Sequence, residues 1–208
     1  KGEDQAATVP AIGFVYGENE AVKWRSIEGK RFTQDGAARQ LWGIDRIRDR
    51  DTMPKTLIIT EGEIDSASVA QVVPASTAVC SVPNGAPAKV SQNKVTAEED
   101  TKFHYLWAAK DVLEGVDEII LATDNDSAGQ ALKEEVARRS GRAKCKEITF
   151  PEDCKDLNEV LMKHGSEALS EIITNAKHMP LEGVYQAKEY LDSVKELYDQ
   201  GLVTGFST

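Results

Sequence analysis

The sequence TLIITEGEID, residues 56–65, places an apolar, β-branched run directly before three acidic side chains. Residues 117–129, DEIILATDNDSAG, repeat the arrangement, with a second apolar run followed by two aspartates and a glycine. Short β-branched runs of this length are typical of buried strands. The segments that follow, IDSASVAQVV and SAGQALKEEVARRSG, have helical spacing. We therefore predict an α/β fold with a parallel sheet built from right-handed βαβ units.

The flanking sequence extends this alternation of strands and helices. STAVCSV and CKEITF predict two more strands, and FHYLWAAKDVLEG predicts one helix that ends at Gly115. Gly141 follows the helix of SAGQALKEEVARRS, at the position where a left-handed residue often ends a helix. LNEVLMKHG and SEALSEIITNAK predict a closing pair of helices, and the polar residues 86–101 predict a loop.

The overall composition is that of a globular chain. Of 208 residues, 40% are hydrophobic and 29% charged, and the formal net charge is −10. No apolar run approaches the ~20 residues of a membrane span, and the first residues lack the apolar core of a signal peptide. We therefore expect a soluble, cytoplasmic protein. The cysteines Cys80, Cys145 and Cys154 form no CxxC pair, which excludes a zinc ribbon and a disulfide framework.

The charge is unevenly distributed along the chain. Residues 21–55 carry nine Lys and Arg against five Asp and Glu, a net of +4, which leaves −14 for the remainder. Within this basic stretch, KWRSIEGKRF alternates like a hairpin and places four basic side chains beside Trp24 and Phe32. A solvated strand face is one explanation. A surface that binds phosphates is the other, although the net acidity of the whole chain disfavours nucleic acid.

Acidic side chains follow three of the predicted strands: Glu61 and Asp65 the first, Asp124 and Asp126 a later one, and Asp156 the last. Each group alone is explained by a turn or a helix cap. Because the carboxyl ends of parallel strands meet at one edge of a sheet, however, we expect all three groups to lie together. Clustered carboxylates repel one another unless a cation neutralises them, and Mg²⁺ prefers oxygen ligands and phosphates. The pattern predicts metal-dependent phosphoryl or nucleotidyl transfer.

An EF-hand is the competing explanation for the second acidic group. Asp124, Asp126, Gly129 and Glu135 have its spacing, but Ala128 occupies a position that needs an oxygen ligand. A strand also precedes the loop where an EF-hand needs a helix. We therefore reject a calcium loop. The histidines His104, His164 and His178 share no ligand spacing, and we expect them to be structural or surface residues.

TEGEID followed by DNDSAG resembles the Toprim domain, which bacterial and phage primases, topoisomerases and some nucleases share. FPEDCKDLNEVLMKHG is similar to a motif of primases, and the basic stretch followed by Leu41-Trp42-Gly43 resembles the subdomain that precedes Toprim in phage-type primase–helicases. The resemblance implies a small basic α+β subdomain at residues 1–55 and a Toprim domain at 56–165, a compact Rossmann-like parallel sheet with flanking helices. Residues 166–208 would form closing helices and a linker helix toward a helicase domain.

The resemblance also implies the reaction, in which a 3′-hydroxyl attacks the α-phosphate of a ribonucleoside triphosphate on a single-stranded DNA template. The implied catalytic residues are Glu61, Asp65, Asp124, Asp126 and Asp156. All of these except Asp65 would hold Mg²⁺, for which Mn²⁺ is a substitute. The residues implied to bind nucleotide or template are Lys23, Arg25, Lys30, Arg31, Asn84 and Gly85.

Other interpretations stay open. One is a non-synthesising Toprim module of a replicative helicase that serves DNA binding or ring assembly; another is part of a Toprim nuclease or topoisomerase. The amphipathic helix predicted near residues 184–198 packs on its own domain or docks on a neighbour. We expect the chain to be the middle of a longer replication protein of a bacterial cell or phage-infected host. A zinc module and a helicase would lie outside it, and the isolated piece would be monomeric.

Overall fold

The part of the chain that the structure describes contains two β-sheets. The structure is a computed structural model and describes residues 8–29, 31–86, 100–181 and 195. The chain forms two units, residues 1–178 and 179–208, and every element below belongs to the first. The amphipathic helix predicted near residues 184–198 lies outside the described residues, except that Lys195 is helical. No helix within the described ranges is long and apolar enough to cross a membrane.

The first sheet is antiparallel and has the strand order β1-β2-β3. Its strands are β1 (Ala11–Tyr16), β2 (Ala21–Ser26) and β3 (Phe32–Gly36). The register pairs Phe14 with Lys23, and Arg25 with both Ile12 and Phe32. Because directly paired residues share a face of a sheet, the basic side chains of β2 and the Phe32 ring lie on one face. The hairpin predicted from KWRSIEGKRF is confirmed.

The second sheet has the order β5-β4-β6-β7-β8. Its strands are β4 (Thr56–Thr60), β5 (Thr77–Ser81), β6 (Glu118–Ala122), β7 (Cys145–Glu147) and β8 (Lys177–His178). The first four are parallel, as predicted, and β8 pairs antiparallel with β7. β7 is shorter than the predicted strand CKEITF, because β6 pairs with it only from Cys145 to Glu147 and β8 only at Lys146 and Glu147.

Helices cover the parallel sheet. They are α1 (Ile44–Arg48), α2 (Glu63–Ala70), α3 (His104–Ala108), α4 (Lys110–Gly115), α5 (Ser127–Ser140) and α6 (Leu157–Thr174). Leu57, Ile58 and Ile59 are all fully buried, so β4 is covered on both faces, and this explains its uninterrupted apolar sequence. On one face Ile58 belongs to a core cluster with Leu157 and Leu169 of α6.

The single helix predicted for residues 103–115 is wrong, because α3 and α4 are separate helices that meet at Ala109. The guanidinium of Arg48 donates to the carbonyl oxygen of Ala108 at 2.6 Å and to Asp111 at 2.7 Å, which holds the chain at this break. The pair of helices predicted for residues 157–177 is confirmed, since Gly165 interrupts α6 with φ 85°, although α6 ends at Thr174.

The turns after β4 and β6 are held by threonine hydroxyls. Thr60 Oγ1 donates to the carbonyl oxygen of Gly62 at 2.9 Å, and Thr123 Oγ1 donates to that of Gly129 at 2.8 Å. Gly129, in the first turn of α5, also packs directly on the backbone of Asp124. This glycine therefore sets how closely α5 approaches the acidic loop.

Replacing Gly129 by alanine tests this packing. The added Cβ atom would lie 2.1 Å from the carbonyl oxygen of Asp124, so the helix or the loop must shift. We expect Gly129→Ala to lower the free energy of unfolding by about 1–3 kcal/mol in urea denaturation. Gly115→Ala is the control, because its Cβ would meet only side-chain atoms of Met53, and we expect a change below about 1 kcal/mol. Equal losses in the two variants would contradict this explanation.

Candidate active site

Glu61 joins the ends of three neighbouring strands at the carboxyl edge of the parallel sheet. Its Oε1 atom accepts a hydrogen bond from the backbone N–H of Ala86, 3.1 Å away, in the segment after β5. Its Oε2 atom accepts one from the backbone N–H of Asp124, 3.4 Å away, after β6. Because β4 lies between β5 and β6, one carboxylate reaches both neighbours. The first two acidic segments therefore meet, as the sequence predicted.

The third acidic segment is tied to the other two. The backbone N–H of Asn125 donates to the carbonyl oxygen of Lys155 at 2.8 Å. Asp65, in the first turn of α2, accepts a hydrogen bond from the backbone N–H of Asn158 at 2.9 Å. The side-chain amide of Asn158 donates to Ser68 Oγ at 3.0 Å. Each acidic segment thus contacts the other two.

Asp126 and Asp156 are helix caps as well as candidate ligands. Asp126 Oδ1 accepts from the backbone N–H groups of Ala128 and Gly129, at 2.9 and 2.8 Å, at the start of α5. Asp156 Oδ1 accepts from the backbone N–H of Glu159 at 2.7 Å, at the start of α6. Within the described part of the chain, the Oδ2 atom of each has no hydrogen bond. One oxygen therefore holds the helix, and the other is available to a ligand.

Burial and mutual repulsion raise the pKa values of the carboxyl groups at this edge of the sheet. Burial is the main cause that brings the pKa of Asp124 to about 7, and the charges of four neighbouring carboxylates add to it. Those four are Glu61, Asp65, Asp126 and Asp156. Burial also raises the pKa of Asp65 to about 6, and it raises the pKa of Glu61 despite that residue's two backbone hydrogen bonds. A cation at this edge would relieve the repulsion.

The donor set fits a hard divalent cation. Every candidate ligand is a carboxylate oxygen, the type that Mg²⁺ prefers. Across residues 8–29, 31–86 and 100–181, however, no three of these carboxylates bring oxygen atoms within 4.8 Å of one another. Mg²⁺ usually takes one or two protein carboxylates and completes its shell with water and substrate phosphate. The four-carboxylate cluster expected from the sequence is thus looser than a closed protein cage, and its role as the metal site stays a prediction.

The basic strand β2 is anchored to the acidic edge by a residue that the sequence did not single out. Glu63 is 4% exposed, and its Oε1 atom accepts from Tyr16 Oη at 2.5 Å and from Lys23 Nζ at 2.8 Å. Lys23 also donates to the carbonyl oxygen of Pro83 at 3.1 Å. Burial, together with the charge of Glu63, raises the pKa of Tyr16. The ammonium of Lys23, expected to contact phosphate, is therefore already paired with Glu63.

The remaining predicted basic residues differ in their surroundings. Arg25 lies on the same sheet face as Lys23, its guanidinium 5.8 Å from the Phe32 ring centroid, and it has no ion pair with a described residue. Arg31 is exposed, and Lys30 lies outside the described residues. Arg25 and Arg31 are thus available to an anionic ligand.

Asn84 and Gly85 lie beside Glu61. Gly85 has φ 65°, and a Cβ atom on it would be 3.8 Å from Glu61 Oε1. Asn84 is exposed and lines a cleft of about 410 Å³ with Arg39, Lys102 and Tyr105. Both residues are therefore next to the acidic edge, as expected, although their contact with a nucleotide stays a prediction.

Sequence reasoning missed Glu63 and Tyr16 for a physical reason. Glu63 lies within TEGEID, but an acidic residue in the first turn of a helix is also explained by the helix dipole. Tyr16 is 47 residues from Glu63, and nothing in the sequence pairs them. The local signal was the position of Glu63 between Glu61 and Asp65 in TEGEID.

The fold and site define an α/β domain with an acidic edge formed by three strand ends. Residues 58–161, half of the chain, match the model of the Toprim-like family. The chain belongs to this family, as the resemblance of its motifs implied. The predicted boundaries at residues 55 and 165 stay predictions.

Two curated relatives come from Arabidopsis thaliana. A "Twinkle homolog protein, chloroplastic/mitochondrial" is 38% identical over 199 residues, which cover 91% of this chain and 27% of the relative. A "Primase homolog protein" is 40% identical over 182 residues, which cover 82% of this chain and 52% of the relative. The chain thus spans about a quarter of one relative and half of the other.

The fold is also similar to that of a solved structure. The primase fragment of the bacteriophage T7 primase-helicase protein has a TM-score of 0.59 and 24% sequence identity. The match covers 77% of this chain and 62% of that structure. The likeness confirms the predicted α/β fold with a mostly parallel central sheet.

Neutralising Glu63 tests the anchor between the two sheets. In Glu63→Gln the charge partner of the largely buried Lys23 is lost, and we expect the free energy of unfolding to fall by about 1–3 kcal/mol. Glu114→Gln is the control, because Glu114 is exposed and makes only a surface pair with Lys110, and we expect a change below about 0.5 kcal/mol. Urea denaturation measures both, and a Glu63→Gln variant as stable as the parent would refute the anchor.

The raised pKa of Asp124 predicts pH-dependent metal binding. Below pH 7 a proton occupies this carboxylate and competes with the metal, so the apparent affinity for Mn²⁺ should fall about tenfold from pH 8 to pH 6. Electron paramagnetic resonance of free Mn²⁺ measures the affinity. Asp117→Asn, an exposed aspartate at the opposite end of β6, should leave the pH profile unchanged. An affinity that is equal at pH 6 and pH 8 would contradict the assignment.

Proposed function

We propose that this chain is the RNA-polymerising core of a DNA primase, which joins ribonucleotides into short primers on single-stranded DNA. The observation that carries the proposal is the joined acidic edge, where Glu61 contacts the segments after β5 and β6 and Asp65 contacts the first turn of α6. The relatives named as primase and Twinkle homologues, and the primase fold of the phage structure, support it.

In this proposal the acidic edge performs the transfer. Glu61, Asp124, Asp126 and Asp156 would hold Mg²⁺, or Mn²⁺ in its place. A bound ion neutralises phosphate charge and lowers the pKa of the attacking 3′-hydroxyl. The two backbone hydrogen bonds of Glu61 fix the direction of its carboxylate, which in this proposal lies next to the reacting atoms. Asp65 keeps the third acidic segment in place through Asn158, so its role is to position the ligands.

The basic sheet would hold the polyanionic substrates. Arg25 and Arg31, with Lys30, are assigned to triphosphate or template phosphates, and Asn84 and Gly85 to the incoming nucleotide. Lys23 is assigned a positioning role, because its ammonium is paired with Glu63. Phe32 offers an exposed aromatic face on which a base can stack, next to Arg25.

The proposed partners follow from this role. They are single-stranded DNA, ribonucleoside triphosphates and a helicase domain in the same longer chain, with the isolated piece monomeric. The expected compartment is the cytoplasm of a bacterial or phage-infected cell.

Primer synthesis by the full-length protein tests the proposal. With Mg²⁺, ribonucleotides and single-stranded template, we expect Glu61→Gln to reduce primer formation at least about 100-fold. The matched control is Glu152→Gln, an exposed glutamate in the segment before α6, which should retain parental activity. Synthesis by Glu61→Gln at the parental rate would refute the catalytic assignment.

One observation favours a second candidate, a Toprim module that binds DNA without synthesis. Four of the acidic residues, Glu61, Asp65, Asp126 and Asp156, accept backbone hydrogen bonds, so the fold alone gives a reason to retain them. The same assay separates the candidates: if the parent binds single-stranded DNA and makes no primers, while Arg25→Ala binds more weakly, the second candidate is correct.

A further inference from the structure

Asp153, Cys154 and His164 form a group of ligand-type side chains separate from the acidic edge. His164 Nε2 lies 3.0 and 3.1 Å from the two carboxylate oxygens of Asp153, and Cys154 Sγ lies 3.7 Å from Asp153 Oδ1. The three ligand atoms all lie within 4.8 Å of one another. In the described part of the chain, no other His, Cys, Asp or Glu side chains form such a group of three.

These separations are near those of ligands around one metal ion, and the distance between Cys154 Sγ and His164 Nε2 is at most 4.8 Å. Zinc bonds of about 2.0–2.3 Å to nitrogen, oxygen and sulfur place the ligand atoms of a tetrahedral site about 3.3–3.7 Å apart. The observed oxygen–nitrogen and oxygen–sulfur distances lie close to this range. An ion could therefore enter with only small side-chain shifts.

Local structure holds the three residues together. Asp153 and Cys154 lie in the turn before α6, where the N–H of Cys154 donates to the carbonyl oxygen of Pro151 at 3.1 Å. His164 is the last residue before the break in α6 at Gly165. Lys163 Nζ donates to the carbonyl oxygen of Asp153, which ties the turn to the helix. The site is thus built from two rigid pieces of chain that are already in contact.

The site is buried on one side and open on the other. Cys154 is 3% exposed and packs in the core cluster with Leu157 and Val160. The side chains of Asp153 and His164 are 57% and 37% exposed. A metal ion can therefore enter from solvent, and a water molecule can supply a fourth ligand.

We propose that Asp153, Cys154 and His164 bind one divalent transition-metal ion of the zinc class. A thiolate and an imidazole are soft or borderline ligands, which favour such ions over Mg²⁺. On binding, the thiol proton passes to solvent, and one thiolate and one carboxylate balance the charge of the ion. His164, expected from its spacing to be a structural or surface residue, becomes a ligand because the turn lies against the helix.

The proposed ion would fix the third acidic segment. Cys154 precedes Asp156 by two residues, and the carbonyl oxygen of Lys155, between them, accepts from Asn125 in the second acidic segment. An ion bound here would fasten the turn that carries Asp156 to the end of the first half of α6. The inference does not depend on primer synthesis.

Cobalt absorption tests the proposal in the full-length protein. Co²⁺ bound to a thiolate gives a near-ultraviolet charge-transfer band, and excess Mg²⁺ keeps oxygen-only sites occupied. We expect the parent-minus-Cys154→Ser difference spectrum to show this band at one equivalent of Co²⁺. His164→Gln, which keeps the core cysteine, should weaken Co²⁺ binding at least about 10–100-fold, the loss that removal of even an outer-shell partner causes.

Cys145→Ser is the matched control, because Cys145 is buried on β7, where its Sγ contacts the carbonyl oxygen of Gly141. This variant should bind Co²⁺ as the parent does. Circular dichroism verifies that each variant is folded. A parent-minus-Cys154→Ser difference spectrum without the band, or unchanged affinity in His164→Gln, would overturn the proposal and leave an ordinary surface ion pair beside a core cysteine.

Discussion

The site depends on carboxylates of one chain segment that hold backbone N–H groups of another. Glu61 lies at the end of the interior strand β4 and accepts hydrogen bonds from N–H groups in the segments that follow both neighbouring strands. Asp65 receives the N–H of Asn158 from the third segment. The strand order β5-β4-β6 makes this possible, since an interior strand, unlike an edge strand, has neighbours on both sides. The segment after β4 is therefore the centre of the site.

This arrangement has an electrostatic cost. Burial, as the largest cause, and the charges of four neighbouring carboxylates raise the pKa of Asp124 to about 7. Hydrogen bonds from backbone N–H groups offset part of the repulsion at Glu61 and Asp65. The rest is relieved by a proton or by a cation. The same geometry thus explains why this edge would attract a cation.

Much of this arrangement could be predicted from the sequence, because it follows from local patterns and parallel topology. The strands β4 and β6 are continuous apolar runs. The acidic segments that follow them meet because parallel strands end at one edge of the sheet. Contacts between distant residues could not be predicted. The link from Tyr16 to Glu63, the break at Ala109 held by Arg48, and the contact of His164 with Asp153 all depend on tertiary packing. The overall charge was a poor guide, because the net charge of +4 on residues 21–55 is hidden by the −14 of the remainder.

The ion pair of Lys23 with Glu63 couples the three-stranded sheet to the parallel-sheet domain, so the two parts must be exchanged together. Only Gly62 separates Glu63 from Glu61, so the distance from the basic strand to the site is set by two peptide bonds and one buried contact. A designer who exchanges the three-stranded sheet between relatives must therefore transfer Tyr16 and Lys23 together with their glutamate. Transfer of Lys23 without Glu63, or of Glu63 without Lys23, would leave an unpaired charge in the interior.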